Sequence, residues 1–189
     1  MPTPLVQHSF ASATTPSDGS GQTEAGGSGV IGTSVGSVAI TASTLQMSAD
    51  GEGLVVFETS QTEICASADA QVYDGSPVGI VVRYQDSSNY IVAKLNSTAN
   101  TLSIIEVVDG TPATLSTEIS SDPPDNFDLP NAYSCTITVH IDGNLIRALY
   151  RPGQLHASYT ETTTSRFSTA TKAGVYISKG AAVNSSKAS

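Results

Sequence analysis

Apolar and polar positions along this chain alternate with a period of two, and no window places apolar residues at i, i+3, i+4 and i+7 over three turns. The clearest alternation is Tyr133–Ile141 (YSCTITVHI), in which Tyr133, Cys135, Ile137, Val139 and Ile141 share one face. A second well-patterned stretch runs from Gly79 to Thr111. Its apolar segments Gly79–Tyr84, Tyr90–Leu95 and Leu102–Val108 are separated by the polar turns Asp86–Asn89 and Ser97–Asn100. It closes on Asp109-Gly110, a tight-turn dipeptide. This reads as a β-meander in the middle of a sheet. Further strands are predicted over Leu5–Phe10, Ser37–Met47 with a kink near Ala42–Ser43, Leu54–Thr59, Glu63–Val72 and Ala113–Ile119. Leu145–Arg151, Leu155–Thr160 and Lys172–Ser178 complete the set.

Turn and loop chemistry separates them. Ala11–Gly29 is rich in Gly, Ser and Thr and reads as a long surface loop. Ser120–Asn131 carries three prolines, which break any ladder. Asp142-Gly143-Asn144 is a hairpin turn. Gly180–Ser189 has no pattern of its own and reads as a C-terminal tail. The expected organisation is a short arm over 1–4, one all-β domain over 5–179 and the tail over 180–189. Roughly twelve short strands at this spacing predict a two-sheet antiparallel jelly-roll sandwich.

Composition narrows the function. Charged residues are only 13% of the 189, so the polar surface rests on Ser, Thr, Asn and Gln. With 8 Lys and Arg against 17 Asp and Glu, the net charge is −9. That argues against a nucleic-acid partner, which requires a basic face, and against an anionic membrane surface. The start MPTPLVQHSF has neither a basic flank nor an apolar run of signal-peptide length. No stretch approaches the roughly 20 apolar residues of a membrane span. Synthesis in the cytoplasm without export is therefore expected.

Cys135 lies in phase with the core face of its strand, whereas Cys65 is out of phase with Ala66, Ala68 and Ala70. The two are expected to be free thiols on different faces. Together with the scattered His8, His140 and His156 they show no zinc-ligand spacing.

The order of the motifs resembles that of concanavalin A-like lectin/glucanase domains, including the laminin G-like jelly rolls. The run Gly79-Ile80-Val81-Val82-Arg83, then Asp86, then Asn89-Tyr90 matches a glycine–apolar–arginine strand, a turn, and an asparagine-tyrosine pair opening the next strand. Val107–Thr111, Tyr133–Tyr150 and Gly174-Val175-Tyr176 follow in the order the resemblance requires, over most of Leu5–Ser178. Such domains occur as appendages of bacteriophage virion proteins and as binding modules of secreted bacterial proteins. The resemblance thus implies a non-enzymatic structural or binding protein. Its leading form is a virion component (capsid decoration, tail, baseplate or fibre), particle-bound or homo-oligomeric, with other virion proteins or a host-surface glycan as partner. The alternative is a carbohydrate-binding module, in an extracellular setting, and the third reading is a glycoside hydrolase.

Arg83, Asp86, Asn89 and Tyr90 form the candidate ligand-binding set; an ion pair and an Asx turn closing a hairpin is the competing structural reading. Tyr84, Tyr90, Tyr150, Tyr159 and Tyr176 could stack on sugars, the chain having no Trp. Laminin G-like relatives often bind calcium through loop carboxylates. Asp122, Asp125 and Asp128 recur every third residue in one loop and are the candidate calcium ligands. Catalysis is not expected, because no strand carries paired carboxylates in the E-x-D-x-x-E spacing of glycosidases with this fold.

Overall fold

The computed structural model describes residues 6–8, 31–35, 38–41, 44–47, 51–72, 76–96, 99, 101–119, 133–151, 155–161, 166–178 and 181–188. Within these the chain forms β1 (Val6–His8), β2 (Ile31–Val35), β3 (Val38–Thr41), β4 (Thr44–Met47) and β5 (Glu52–Glu58). It continues through β6 (Cys65–Val72), β7 (Val78–Asp86), β8 (Asn89–Asn96), β9 (Thr101–Val108) and β10 (Thr111–Ile119). The last five are β11 (Tyr133–Asp142), β12 (Leu145–Arg151), β13 (His156–Thr160), β14 (Lys172–Ser178) and β15 (Ala181–Ala188). No helix occurs among the described residues.

The strands build two antiparallel sheets packed face to face. One has the order β10-β9-β8-β7-β14-β5-β2. The other runs β13-β12-β11-β6-β15-β4-β3, with β1 also paired to β15. The expected meander is present as β7, β8, β9 and β10 side by side. The kink expected near Ala42–Ser43 is a full reversal, because Thr41 pairs with Thr44 and β3 and β4 run antiparallel. Two hairpins have two-residue turns matched to strand twist. Asp109 (φ 50°) and Gly110 (φ 76°) form a type I′ turn, whereas Gly143 (φ 55°) alone is left-handed before Asn144, as in type II′.

Alternation sorts the side chains. Val55 and Phe57, Ile80 and Val82, Ile91 and Ala93, Ile137 and Val139, and Val175 and Ile177 interdigitate between the sheets. The intervening Leu54, Val56, Val81, Val92 and Tyr176 lie on the opposite face of the seven-stranded sheet and form a second buried cluster with Tyr84. The two cysteines are free. Cys135 is buried and Cys65 half-buried, paired in register with His140 on the face away from the core. Desolvation, assisted by the charge of Asp69, pushes the Cys135 thiol up to about 12.

One expectation is overturned. The tail expected over 180–189 contains β15, which sits inside the eight-stranded sheet between β6 on one side and β4 and β1 on the other. An interior strand needs little side-chain hydrophobicity when its backbone donors and acceptors are met by neighbours on both edges, so AAVNSSKA carries almost no pattern. The arm over 1–4 lies outside the described residues.

β14 approaches its neighbours closely. A Cβ on Gly174 would overlap the Val55 carbonyl and the Val56 Cα, and one on Gly79 would overlap the Ala93 carbonyl. Both obstacles are backbone and cannot rotate away. Gly174→Ala should therefore lower stability by about 1–3 kcal/mol, the usual range for overpacking, read as a shifted urea midpoint; an unchanged midpoint would contradict the close approach. Removing Ala181–Ser189 should abolish the cooperative unfolding transition. A truncated protein with the full-length melting temperature would show that β15 is dispensable.

Candidate functional site

The candidate site begins with a break in the alternation of β7. Val78, Ile80 and Val82 point into the intersheet core, and Val81 points away from it. Arg83 then adopts φ 49°, and the register with both β8 and β14 shifts there. This is a β-bulge, a device that re-aims a side chain. Here it turns Arg83 toward the turns of the opposite sheet, where the side chain is 3% exposed.

Two partners receive it. Nη1 donates to Glu161 Oε2 at 2.7 Å, and Nη2 donates to the Gly143 carbonyl. Glu161, just past β13, is itself buried. Its backbone N–H donates to the Asn144 carbonyl at 3.0 Å, and its Oε1 accepts from the Arg166 backbone N–H at 3.2 Å. Arg166 Nη1 reaches Glu106 Oε2 on β9 at 3.3 Å. Glu63 Oε1 accepts from the Gly143 N–H at 3.3 Å. Within this network Arg83 Nε, also buried, lacks a partner. One ion pair thus binds the seven-stranded sheet to the β11–β12 hairpin and to the segment leading into β14.

These loops enclose a cavity of about 210 Å³ lined by Thr62, Glu63, Arg83, Gly143, Asn144 and Ser168. Its lining is polar and partly open to solvent.

The other sequence candidates lie elsewhere. Asp86 Oδ1 accepts from the Ser88 N–H at 2.8 Å, and both Asp86 oxygens accept from Asn89 Nδ2 at 3.0 and 3.1 Å. Asn89 Oδ1 accepts from the Asp109 N–H at 3.1 Å. Asp86 and Asn89 are therefore brought together, and they knit the β7–β8 turn to the β9–β10 turn. Arg83 is separated from them by the bulge. Tyr90 lies on the far face of the seven-stranded sheet, its ring 6.1 Å from that of Tyr84. On the same face Lys94 Nζ pairs with Glu52 at 2.8 Å and sits 4.7 Å from the Tyr176 ring centroid. Burial opposes ionisation of Glu52, but Lys94 and the nearby Tyr176 hydroxyl outweigh it and hold its carboxyl below the usual range. The Tyr176 hydroxyl faces Glu52 without the geometry of a hydrogen bond. Tyr84, Tyr150 and Tyr176 are buried, and Tyr90 and Tyr159 are half-buried. Asp122, Asp125 and Asp128 lie outside the described residues. Among the described residues no group of three or more His, Cys, Asp or Glu could hold a metal ion.

Glu161, Glu63, Asn144 and Ser168 were not singled out from sequence. Glu161 is 78 residues from Arg83 in the chain, and no local motif joins them. The available signal was Arg83 itself: a charge ending an apolar run must find a partner if buried.

No protein-family model matches the chain, and no curated protein matches it. Solved structures do. The carbohydrate binding module CBM66 from Bacillus subtilis aligns with a TM-score of 0.61 at 14% identity, covering 79% of this chain and 88% of that one. The exoplasmic/lumenal domain of VIP36, bound to Ca²⁺ and Man3GlcNAc, aligns at 0.55 and 11% identity, covering 83% and 82%. The Caenorhabditis elegans galectin LEC-6 aligns at 0.50 and 11% identity, covering 76% and 93%. At these identities the likeness establishes the fold alone, a two-sheet antiparallel jelly-roll sandwich.

The ion pair makes a sharp prediction. Glu161→Ala leaves Arg83 buried without its charge partner and should cost about 3–5 kcal/mol. Replacing both residues together, as Arg83→Met with Glu161→Leu, should recover most of that loss. Urea denaturation of both variants measures it. A Glu161→Ala protein as stable as the parent would mean that Arg83 is not held as described.

Proposed function

We propose that this chain is a non-catalytic, lectin-like carbohydrate-binding module. The observation that carries the reading is the match along 88% of a carbohydrate binding module at a TM-score of 0.61. A second supporting structure holds Man3GlcNAc. The leading expectation from sequence, a particle-assembly protein, gives way here to its alternative, because the similar structures speak for glycan binding and not for assembly. Attachment to a host-surface glycan is how such a module would serve a virion component. The binding reading does not depend on that setting, and an extracellular module suits it equally.

The non-catalytic part rests on the carboxylates in view. Glu106 and Glu161 are each engaged by an arginine. Glu58 and Glu63 flank a loop and do not share a strand face. Among the described strands none carries carboxylates in the E-x-D-x-x-E spacing that would set up the closely spaced pair of retaining glycoside hydrolysis. Among the described residues no carboxylate cluster is gathered; the candidate calcium ligands Asp122, Asp125 and Asp128 lie outside them, and the EDTA arm of the test addresses them.

The test is a glycan array of neutral and anionic saccharides probed with the purified protein, with and without EDTA. Binding to at least one neutral saccharide, unaffected by EDTA and without release of reducing ends, is expected. Binding to no saccharide would overturn the proposal. Steady release of reducing ends would move the chain to the hydrolases, and loss of binding in EDTA would show that a divalent cation takes part, with Asp122, Asp125 and Asp128 its candidate ligands.

A further inference from the structure

Strained backbone is concentrated at one end of the sandwich. Four non-glycine residues among those described have positive φ: Ser60 (56°), Arg83 (49°), Asp109 (50°) and Phe167 (57°). Asp109 is explained by its type I′ turn. The other three lie in, or directly beside, segments that line the 210 Å³ cavity. Ser60 opens the loop that supplies Thr62 and Glu63, Phe167 precedes Ser168, and Arg83 lines the cavity itself. Left-handed backbone at a bulky residue is costly, and it persists where surrounding structure enforces it, most often at ligand sites.

The cavity also gathers unused polar groups. Among the described residues the side chains of Thr62, Asn144 and Ser168 make no hydrogen bond, and Glu63 uses only Oε1, in a long contact to Gly143. Donors and acceptors are therefore both on offer: an amide, two hydroxyls and a free carboxylate oxygen.

Charge selects among ligands. Arg83 is neutralised by Glu161 and Arg166 by Glu106, which leaves Glu63 as the unpaired charge at the rim. An anionic ligand meets repulsion there, reinforced by the chain's net charge of −9. A neutral vicinal diol meets none: one hydroxyl donates to Glu63 Oε2 while its neighbour accepts from Asn144 or Ser168. The volume lies below the roughly 300–1,000 Å³ of pockets for drug-sized ligands, so one ring and not an extended oligomer fits.

We propose that this end cavity, and not the tyrosine-bearing face of the seven-stranded sheet, is the saccharide site. It takes a single terminal sugar unit through a neutral vicinal diol. This inference rests on the carbohydrate-binding reading above, and the experiment separates the two.

The probe is the strongest neutral saccharide found on the array, titrated by calorimetry into wild type and the variants Glu63→Gln, Asn144→Ala, Ser168→Ala and Lys94→Gln. Glu63, Asn144 and Ser168 carry no fold contact stronger than the long Glu63–Gly143 bond, so melting temperatures should stay unchanged. Glu63→Gln and Asn144→Ala should each weaken binding about tenfold, the loss expected for one hydrogen bond involving a charged or well-aligned partner. Ser168→Ala should weaken it less. Lys94→Gln, on the sheet face, should bind as wild type does. Equal binding by the three cavity variants, or loss on Lys94→Gln alone, overturns the site while leaving the carbohydrate reading standing. An array without any saccharide bound removes the reading and the inference together.

Discussion

Both sheets are completed only by the last two strands of the chain. β14 lies between β7 and β5, so β5 and β2 reach the rest of their sheet only through it. β15 lies between β6 and the group β4, β3 and β1, which it alone attaches to the second sheet. Thirteen of the described strands precede β14, the first of the two that complete the sheets. Nearly every pairing of β14 and β15 is long-range, a topology that delays cooperative folding because loop closure must precede the stabilising contacts. It also explains one glycine: Gly174 permits the close approach of the β5 backbone on which the interior position of β14 depends.

The same constraint shapes the cavity. The segment that feeds β14 must cross from the end of β13 in one sheet to the centre of the other. Along that crossing it presents Glu161, Arg166, Phe167 and Ser168 to the hairpin end of the sandwich. The β7 bulge supplies Arg83 to meet Glu161, and Gly143 caps the guanidinium from the opposite side. A buried ion pair of this kind adds little net stability over apolar residues of the same size. Its value here is positional: it holds three loops from distant parts of the chain around one polar hollow.

How much of this was legible in the sequence depends on where the information sits. Strands with one face on the core announce themselves, because apolar core positions alternate with polar ones; β11 is the clearest example, with Cys135, Ile137, Val139 and Ile141 on the core face and Ser134, Thr136, Thr138 and His140 between them. The glycine-led strands, β7 and β14, were legible through their motif order. β15 was not. Its place is fixed by backbone pairing on both edges, and a sequence of Ala, Ser, Asn and Lys has low intrinsic strand preference. The site was half-legible. Arg83 stood out as a charge in an apolar run, but the bulge that re-aims it has no local signature, and its partners arrive from loops remote in sequence. Grouping Arg83 with Asp86, Asn89 and Tyr90 followed chain proximity, whereas the fold sends the four side chains to three different places.

The proposed site stands or falls with a neutral sugar bound at the hairpin end of the sandwich. Amide chemical-shift mapping of the isotope-labelled protein, titrated with a bound neutral saccharide, tests it most directly. The largest shifts should fall on Thr62, Glu63, Gly143, Asn144 and Ser168, with Val81, Val92 and Lys94 unmoved. Shifts concentrated on β7, β8 and β14 around Lys94 and Tyr176, with the hairpin end silent, would contradict it.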